Sequence, residues 1–319
     1  MAEWDKPRIL LLGGPTATGK TALSVALAQR LGGEIISADS MQVYRGLSIG
    51  TAKVTPEEMQ GIPHHLIDCL PPTVPYSVAD FTQRAGGLIR EITARGRLPV
   101  LVGGTGLYLS SLMDGLRFAE QKPPGELRER LRRQAEEEGA AAMHRRLARL
   151  DPEAAQAIHP NNLVRVLRAL EACELAGIPF SRQQAEAKPP EPLYDSLLLC
   201  LTFADRQQLY ARINARVDRM MTAGLLDEAR DVYEHRAEYP TAVQAIGYKE
   251  FFPYFEGTGP LLECTDKLKQ ASRNYAKRQL TWFRHRVGVV WLEAGAPELL
   301  EQVMQAVSRR WPDIADKSV

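Results

Sequence analysis

Apolar and polar positions follow two different rhythms along the 319-residue chain. The first hundred or so residues alternate short aliphatic runs with amphipathic stretches. Ile9-Leu10-Leu11-Leu12 is an unbroken apolar run ending at Gly13, as expected of a strand buried on both faces. Thr21, Ala22, Leu23, Val25, Ala26 and Leu27 then open a helical pattern that Gly32-Gly33 stops. Residues 34–38 read as a second strand. Residues 80–95 carry Phe81, Ala85, Leu88 and Ile92 on one helical face, and Gly96 follows as a C-cap. Residues 98–102 form a third strand, with a helix expected over 107–113. This β-α-β alternation predicts a parallel sheet with crossover helices.

The rhythm changes at 117. From there to about 192 the pattern is helical and heavily charged, with helices expected at 126–138, 140–150 and 162–176 and no strand among them. Pro189, Pro190 and Pro192 punctuate its end. Strand character returns at 196–201 and 288–292. The predicted fold class is α/β: a P-loop NTPase-like parallel-sheet core (1–116 and 194–319) interrupted by an all-helical lobe (117–193). Within the core, 45–80 reads as one long loop. Asp205 is placed to cap a helix over 206–222, on which Arg212, Arg216 and Arg219 step along one face.

Composition narrows the classes. Apolar residues make up 45% of the chain and charged residues 25%, with a net charge of +1. That is the mix of an ordinary globular protein, so any nucleic-acid surface must be local. Cys69, Cys173, Cys200 and Cys264 are scattered and suggest reduced thiols, not a disulfide frame or zinc site. No apolar run reaches membrane-spanning length and no signal segment is evident. A cytoplasmic protein is expected, without an obligate protein partner and monomeric. His64-His65 lacks a third ligand at metal spacing, which favours a structural or substrate-contacting role.

The chemistry concentrates between the first strand and first helix. Gly14, Pro15, Thr16, Ala17, Thr18, Gly19, Lys20 and Thr21 spell a Gly-x-x-x-x-Gly-Lys-Thr loop in strand-loop-helix context. Its backbone N–H groups and the helix N-terminus suit a phosphate chain, with Lys20 as the mobile cation and Thr21 as the Mg²⁺ ligand. There is no Asn-Lys-x-Asp guanine-reading element, and neither the third strand nor the strand over 196–201 ends in an acid. Asp39, just past the second strand, is the carboxylate that remains. It suits a general base, with a helix cap or indirect Mg²⁺ ligand as alternatives. One arginine of 212, 216 and 219 is a candidate phosphate clamp. Residues 267–286 hold Lys267, Lys269, Arg273, Lys277, Arg278, Arg284 and Arg286 without an acid between them, which points to a polyanionic partner. Tyr275 and Trp282 are expected to pack inward, on one helical side with Leu268, Ala271 and Gln279.

These motifs, together with 36–44, 49–53, 63–68, 102–108, Ile158 to Asn162 with Arg165 and Arg168, 245–250, and 275–279 with Trp282, closely resemble the tRNA dimethylallyltransferase family of bacterial type. The match runs in order over nearly the whole chain. Thr18 stands where the family usually has serine, and keeps the hydroxyl. The resemblance implies transfer of a dimethylallyl group from dimethylallyl diphosphate to the exocyclic amine of the adenosine 3′ of the anticodon, with Mg²⁺ as cofactor and the tRNA anticodon stem-loop as partner. It implies that 14–21 bind the diphosphate, that Thr16 supports the reacting end, that Arg216 clamps and that Asp39 is the base. Asp39, Ser40, Met41 and Gln42 would contact the target base. Thr105, Arg128 and Leu163, Val164, Arg165, Val166 and Leu167 would contact tRNA, joined by Lys277, Arg278 and Arg284 of the basic helix.

Overall fold

The computed structural model describes residues 6–116 and 125–314. Along the chain, β1 (Arg8–Gly13) leads into α1 (Lys20–Leu31) and β2 (Gly33–Ser37). The stretch read as one loop contains a single-turn helix, α2 (Pro56–Met59), and a two-residue strand, β3 (His64–His65). Two residues give no alternation to read, so this edge strand has no sequence signal. Next come α3 (Val78–Ala94), β4 (Leu98–Val102) and α4 (Gly106–Met113). Five helices follow: α5 (Gly125–Glu138), α6 (Ala140–Leu150), α7 (Pro152–Ala157), α8 (Leu163–Ala176) and α9 (Phe180–Glu186). The sheet resumes with β5 (Asp195–Thr202), then α10 (Arg206–Thr222), α11 (Leu225–Glu234), the one-turn α12 (Phe252–Phe255), α13 (Leu261–Arg284), β6 (Val290–Glu293) and α14 (Leu299–Arg310).

The six strands run in the order β3-β2-β4-β1-β5-β6, all parallel. This is the P-loop NTPase-like architecture. β1 shows why its sequence is uniformly aliphatic. Ile9 and Leu11 pack on one face with Phe81, Ile89, Leu109 and Phe283, while Leu10 and Leu12 pack on the other with Val25, Leu27, Val303 and Trp311. Helices cover both faces, so alternation has no polar side to mark. All the strands deliver their carboxyl ends to one edge, where ligands of such sheets bind.

The chain divides into two compact units, Met1–Met113 with Leu193–Val319, and Asp114–Pro192. The domain border expected at 116/117 adjoins 117–124, which lie outside the described residues. The second unit has its own core of Leu131, Met143, Leu147, Val166 and Leu170. Its buried acids among the described residues, Asp151 and Glu171, are both engaged. Glu171 accepts from Arg128 Nε at 2.8 Å and from Arg168 at 3.1 Å. Burial pushes the Glu171 carboxyl up, and the two arginines outweigh it to leave it below the usual range. Asp151 caps α7 through Ala154 N and receives Ser181 N and Oγ.

Candidate active site

The phosphate loop is built by steric necessity as much as by ligand chemistry. A Cβ at Gly14 would lie 2.6 Å from the Leu201 carbonyl oxygen, and its φ is +131°, so β5 can pass this close only under glycine. Gly19 (φ +86°) is the N-cap of α1 and supplies no capping side chain, and the first turn holds no acid. The leading N–H groups of α1 are therefore left for an anion. Thr18 is buried and its hydroxyl donates to the Pro15 carbonyl at 2.9 Å, so this departure from serine serves the loop's own geometry. Lys20 curls back over the loop, donating from Nζ to Gly14 O at 3.0 Å and Pro15 O at 2.6 Å. Thr16 is half-buried, and Thr21 is exposed at the mouth.

The three arginines of α10 part company. Arg212 donates from Nε to Ala17 O at 3.0 Å and lies 5.5 Å from the Phe203 ring centroid, latching the loop backbone. Arg219 is exposed. Arg216 is half-buried and feels the charge of Asp39. Burial lowers its proton affinity most, Asp39 opposes that and Arg219 adds to it. Lys20 is pushed down to about 8, by burial first and by Arg216 second, with Asp39 pulling the other way. Lys20, Arg216 and Asp39 thus share one electrostatic field, although β4 separates β2 from β1 in the sheet. Two close, desolvated cations form a trap for a polyanion.

Asp39 is held by the turn it opens. Its Oδ1 accepts from Met41 N at 2.8 Å and from Gln42 N at 3.2 Å. Gln42 is committed inward, donating to Thr51 O and Ala52 O and accepting from Ser37 Oγ at 3.1 Å. Its side chain is a strut of the segment. Ser40 and Met41 are half-buried. Glu228 of α11 anchors the next stretch, accepting from Ser48 N (2.8 Å), Ile49 N (2.9 Å), Gly50 N (2.8 Å) and the Tyr248 hydroxyl (2.8 Å). Sequence reading missed this carboxylate, because its partners are backbone groups some 180 residues earlier.

Helix α13 closes the site from the other side. Its buried stripe is Cys264, Leu268, Ala276, Gln279 and Phe283, rotated from the expected one, and Tyr275 and Trp282 flank it half-buried. The Tyr275 phenol lies beside the Thr105 hydroxyl and Gln279, within the field of Asp39. Burial and then the Asp39 charge push it up to about 12, so it stays a protonated donor. Trp282 Nε1 donates to Ser110 Oγ at 3.0 Å. Of the basic run, Lys269 pairs with Asp218 and Arg273 bonds Asn214. Lys277 and Arg284 are exposed and line a cleft with Arg206, Tyr210 and Thr281. Arg278 turns away from that cleft, its guanidinium 5.6 Å from the Tyr275 ring centroid.

In the helical unit, Val164 and Arg165 are exposed, whereas Val166 is fully buried and Leu163 and Leu167 pack on the core. The expectation that all of 163–167 touches tRNA is corrected for Val166. One turn of helix cannot turn five consecutive side chains outward. Arg128 is exposed, but its Nε and Nη2 are taken by Glu171. His65 Nε2 meets buried Glu34 at 2.8 Å and His64 Nδ1 meets Ile62 O at 2.8 Å, so this pair is structural. Among the described residues no group of His, Cys, Asp and Glu could hold a metal by itself, and no helix is long and apolar enough to cross a membrane.

Comparison with known proteins gives consistent matches. A family profile described as IPP transferase matches residues 42–286, and one described as Isopentenyl transferase matches 7–71. The tRNA dimethylallyltransferase of Geobacillus thermodenitrificans is 49% identical over 302 residues, 95% of each chain. That of Bacillus subtilis is 49% identical over 296 residues, 93% of this chain and 94% of that one. Among solved structures, the full-length tRNA isopentenylpyrophosphate transferase of Bacillus halodurans aligns with a TM-score of 0.72 at 44% identity, covering 97% of this chain and 98% of that one. A eukaryotic dimethylallyltransferase acting on tRNA aligns with a TM-score of 0.77 at 30% identity, covering 95% of this chain and 77% of that one.

Proposed function

The chain belongs to the IPP transferase family, and from that premise we propose how its site performs the reaction. It is a transferase that prenylates tRNA with a dimethylallyl group. In our reading the donor is dimethylallyl diphosphate, the acceptor is the N6 amine of the adenosine 3′ of the anticodon, and pyrophosphate leaves. The observation that carries this is Lys20 folded over the phosphate loop onto the Gly14 and Pro15 carbonyls, with Arg216 and Asp39 near enough to act on its charge: two cations for a diphosphate and one carboxylate for a proton.

As the allylic C–O bond breaks, negative charge gathers on the diphosphate. Lys20, Arg216 and the free N–H groups at the start of α1 are preorganised to stabilise it. Thr16 supports the reacting end. The aromatic amine is a weak nucleophile, so it needs both positioning and a base. The backbone bonds to Asp39 fall on Oδ1, and Oδ2 is the oxygen we assign to take the N6 proton. The Tyr275 phenol, within the field of Asp39, and the neighbouring Thr105 hydroxyl are the donors we assign to the adenine. The loop suits a Mg²⁺, because Thr21 presents an exposed hydroxyl at the start of α1. Thr21 would hold it, and the ion would neutralise charge on the leaving group.

For tRNA we assign Val164, Arg165 and the outer edge of Arg128 on the helical unit, and Arg278, Lys277 and Arg284 on α13. Ser40 and Met41 bound the pocket for the target base. We read the protein as a cytoplasmic monomer. Incubation with labelled dimethylallyl diphosphate and unmodified tRNA tests the assignment, with label expected in the RNA at that one adenosine. Label that stays in the donor, or donor binding displaced by ATP alone, would overturn it in favour of a small-molecule kinase.

A further inference from the structure

We infer that Gln279 is a positioning residue for the phosphate loop, acting from the helix that faces tRNA. Its buried carboxamide has both ends occupied. Oε1 accepts from the Thr16 backbone N–H at 3.1 Å, and Nε2 donates to the Gly104 carbonyl at 3.0 Å. A backbone N–H can only donate and a carbonyl can only accept, so the amide orientation is fixed.

The Thr16 N–H belongs to the same planar trans peptide as the Pro15 carbonyl, and the two point in opposite directions. Holding the N–H toward α13 therefore turns the Pro15 oxygen the other way, where it receives Lys20 Nζ at 2.6 Å and Thr18 Oγ1 at 2.9 Å. Gln279 sets the plane of the peptide on which Lys20 rests. Packing alone does not call for an amide here. Trp282 and Phe283 already seat α13 against Gly106 and Gly13, where a Cβ would lie 2.1 Å and 2.7 Å from their rings. A Cβ at Gly104 would lie 2.0 Å from Gln279 Nε2, so the glycine is the room the strap needs. A buried amide is costly unless both ends are paired, and here both are.

The inference rests on the reading that the loop holds a diphosphate. Gln279→Met and Gln279→Glu are compared with wild type by titration with inorganic pyrophosphate and Mg²⁺, alongside tRNA affinity and thermal melting. Gln279→Met is expected to bind pyrophosphate about tenfold more weakly, the worth of one or two such bonds. Gln279→Glu, nearly identical in shape, should be weaker still, because its ionised oxygen opposes the Gly104 carbonyl. The KM for the donor should rise in both while tRNA affinity stays within about twofold. A packing role ranks the variants by shape and puts Glu nearest wild type. Folded variants that bind pyrophosphate as wild type does, or a Glu variant better than Met, would overturn the inference. A wild-type protein that fails to bind pyrophosphate would remove the diphosphate reading itself, and the inference with it.

Discussion

The Arg216 guanidinium lies close enough to the Lys20 ammonium to be the second-largest cause, after burial, of its lowered proton affinity. One cation thus primes the other. Lys20 is pushed down to about 8, so above that pH the ligand-free site sheds a proton that a bound diphosphate would restore. Because the folded value is depressed, the unfolded chain binds more protons between the folded and unfolded values. Stability at this site therefore rises with pH across that window and is lowest below it.

Donor binding should accordingly take up protons. Titrating dimethylallyl diphosphate, without tRNA, in buffers of different ionisation enthalpy should show uptake that grows from about pH 7 to about pH 9 and approaches one proton. Lys20→Met should abolish donor binding and raise the melting temperature of the ligand-free protein. Uptake that is flat with pH would remove Lys20 as the coupled group.

Asp39→Asn keeps the Oδ1 bonds to Met41 N and Gln42 N within reach but cannot accept a proton. Its single-turnover rate should fall by about 10²–10⁴-fold, with tRNA affinity little changed. Recovery of the rate with excess Mg²⁺ would make Asp39 an organiser of the metal instead.

Cations on α13 should divide by what already holds them. Lys277→Ala and Arg284→Ala should each flatten the log–log salt dependence of tRNA affinity by about one unit. Lys269→Ala should leave the slope alone, since Asp218 already pairs with it. Equal slopes for all three would reduce the cleft with Arg206 to solvated surface.

Glu228→Ala removes a carboxylate that satisfies three backbone N–H groups and a phenol. It should cost about 2–4 kcal/mol in denaturant unfolding. Amide exchange should quicken at Ser48, Ile49 and Gly50 before the rest of the core. Unchanged exchange there would mean that water replaces the carboxylate without loss.

The contrast between what the sequence announced and what it hid follows chain distance. The phosphate loop, the capped α10 and Asp39 at the end of β2 are legible because their determinants lie within a few residues. Strands β1, β2, β4 and β5 are legible because burial on both faces makes them largely apolar runs, and the half-exposed edge strand β6 because Val290, Trp291 and Leu292 still read as one. Hidden features depend on partners far away: Gln279 on Thr16, Glu228 on 48–50, Arg212 on Ala17. The basic run of α13 reads as uniform charge, yet Asp218 and Asn214 on a neighbouring helix take two of its members out. The stripe of α13 keeps Leu268 and Gln279 of the expected one but turns toward Ala276 and Phe283, because Gly13 leaves room for the Phe283 ring, a partner some 270 residues away that local periodicity does not show. Val166 is hidden differently, since an unbroken contact segment over 163–167 ignores that a helix turns every side chain by about 100°.

Strand order also sets when during synthesis the site can exist. β1 sits between strands that begin at Leu98 and Asp195, and the peptide beneath Lys20 takes its bond from residue 279. On a ribosome the phosphate loop is made 263 residues before the strap that holds it. Until those later segments emerge, a nascent chain carries the motif without the central pairing or the fixed peptide plane. Competence arrives late and all at once, when α13 folds back across a loop made long before it.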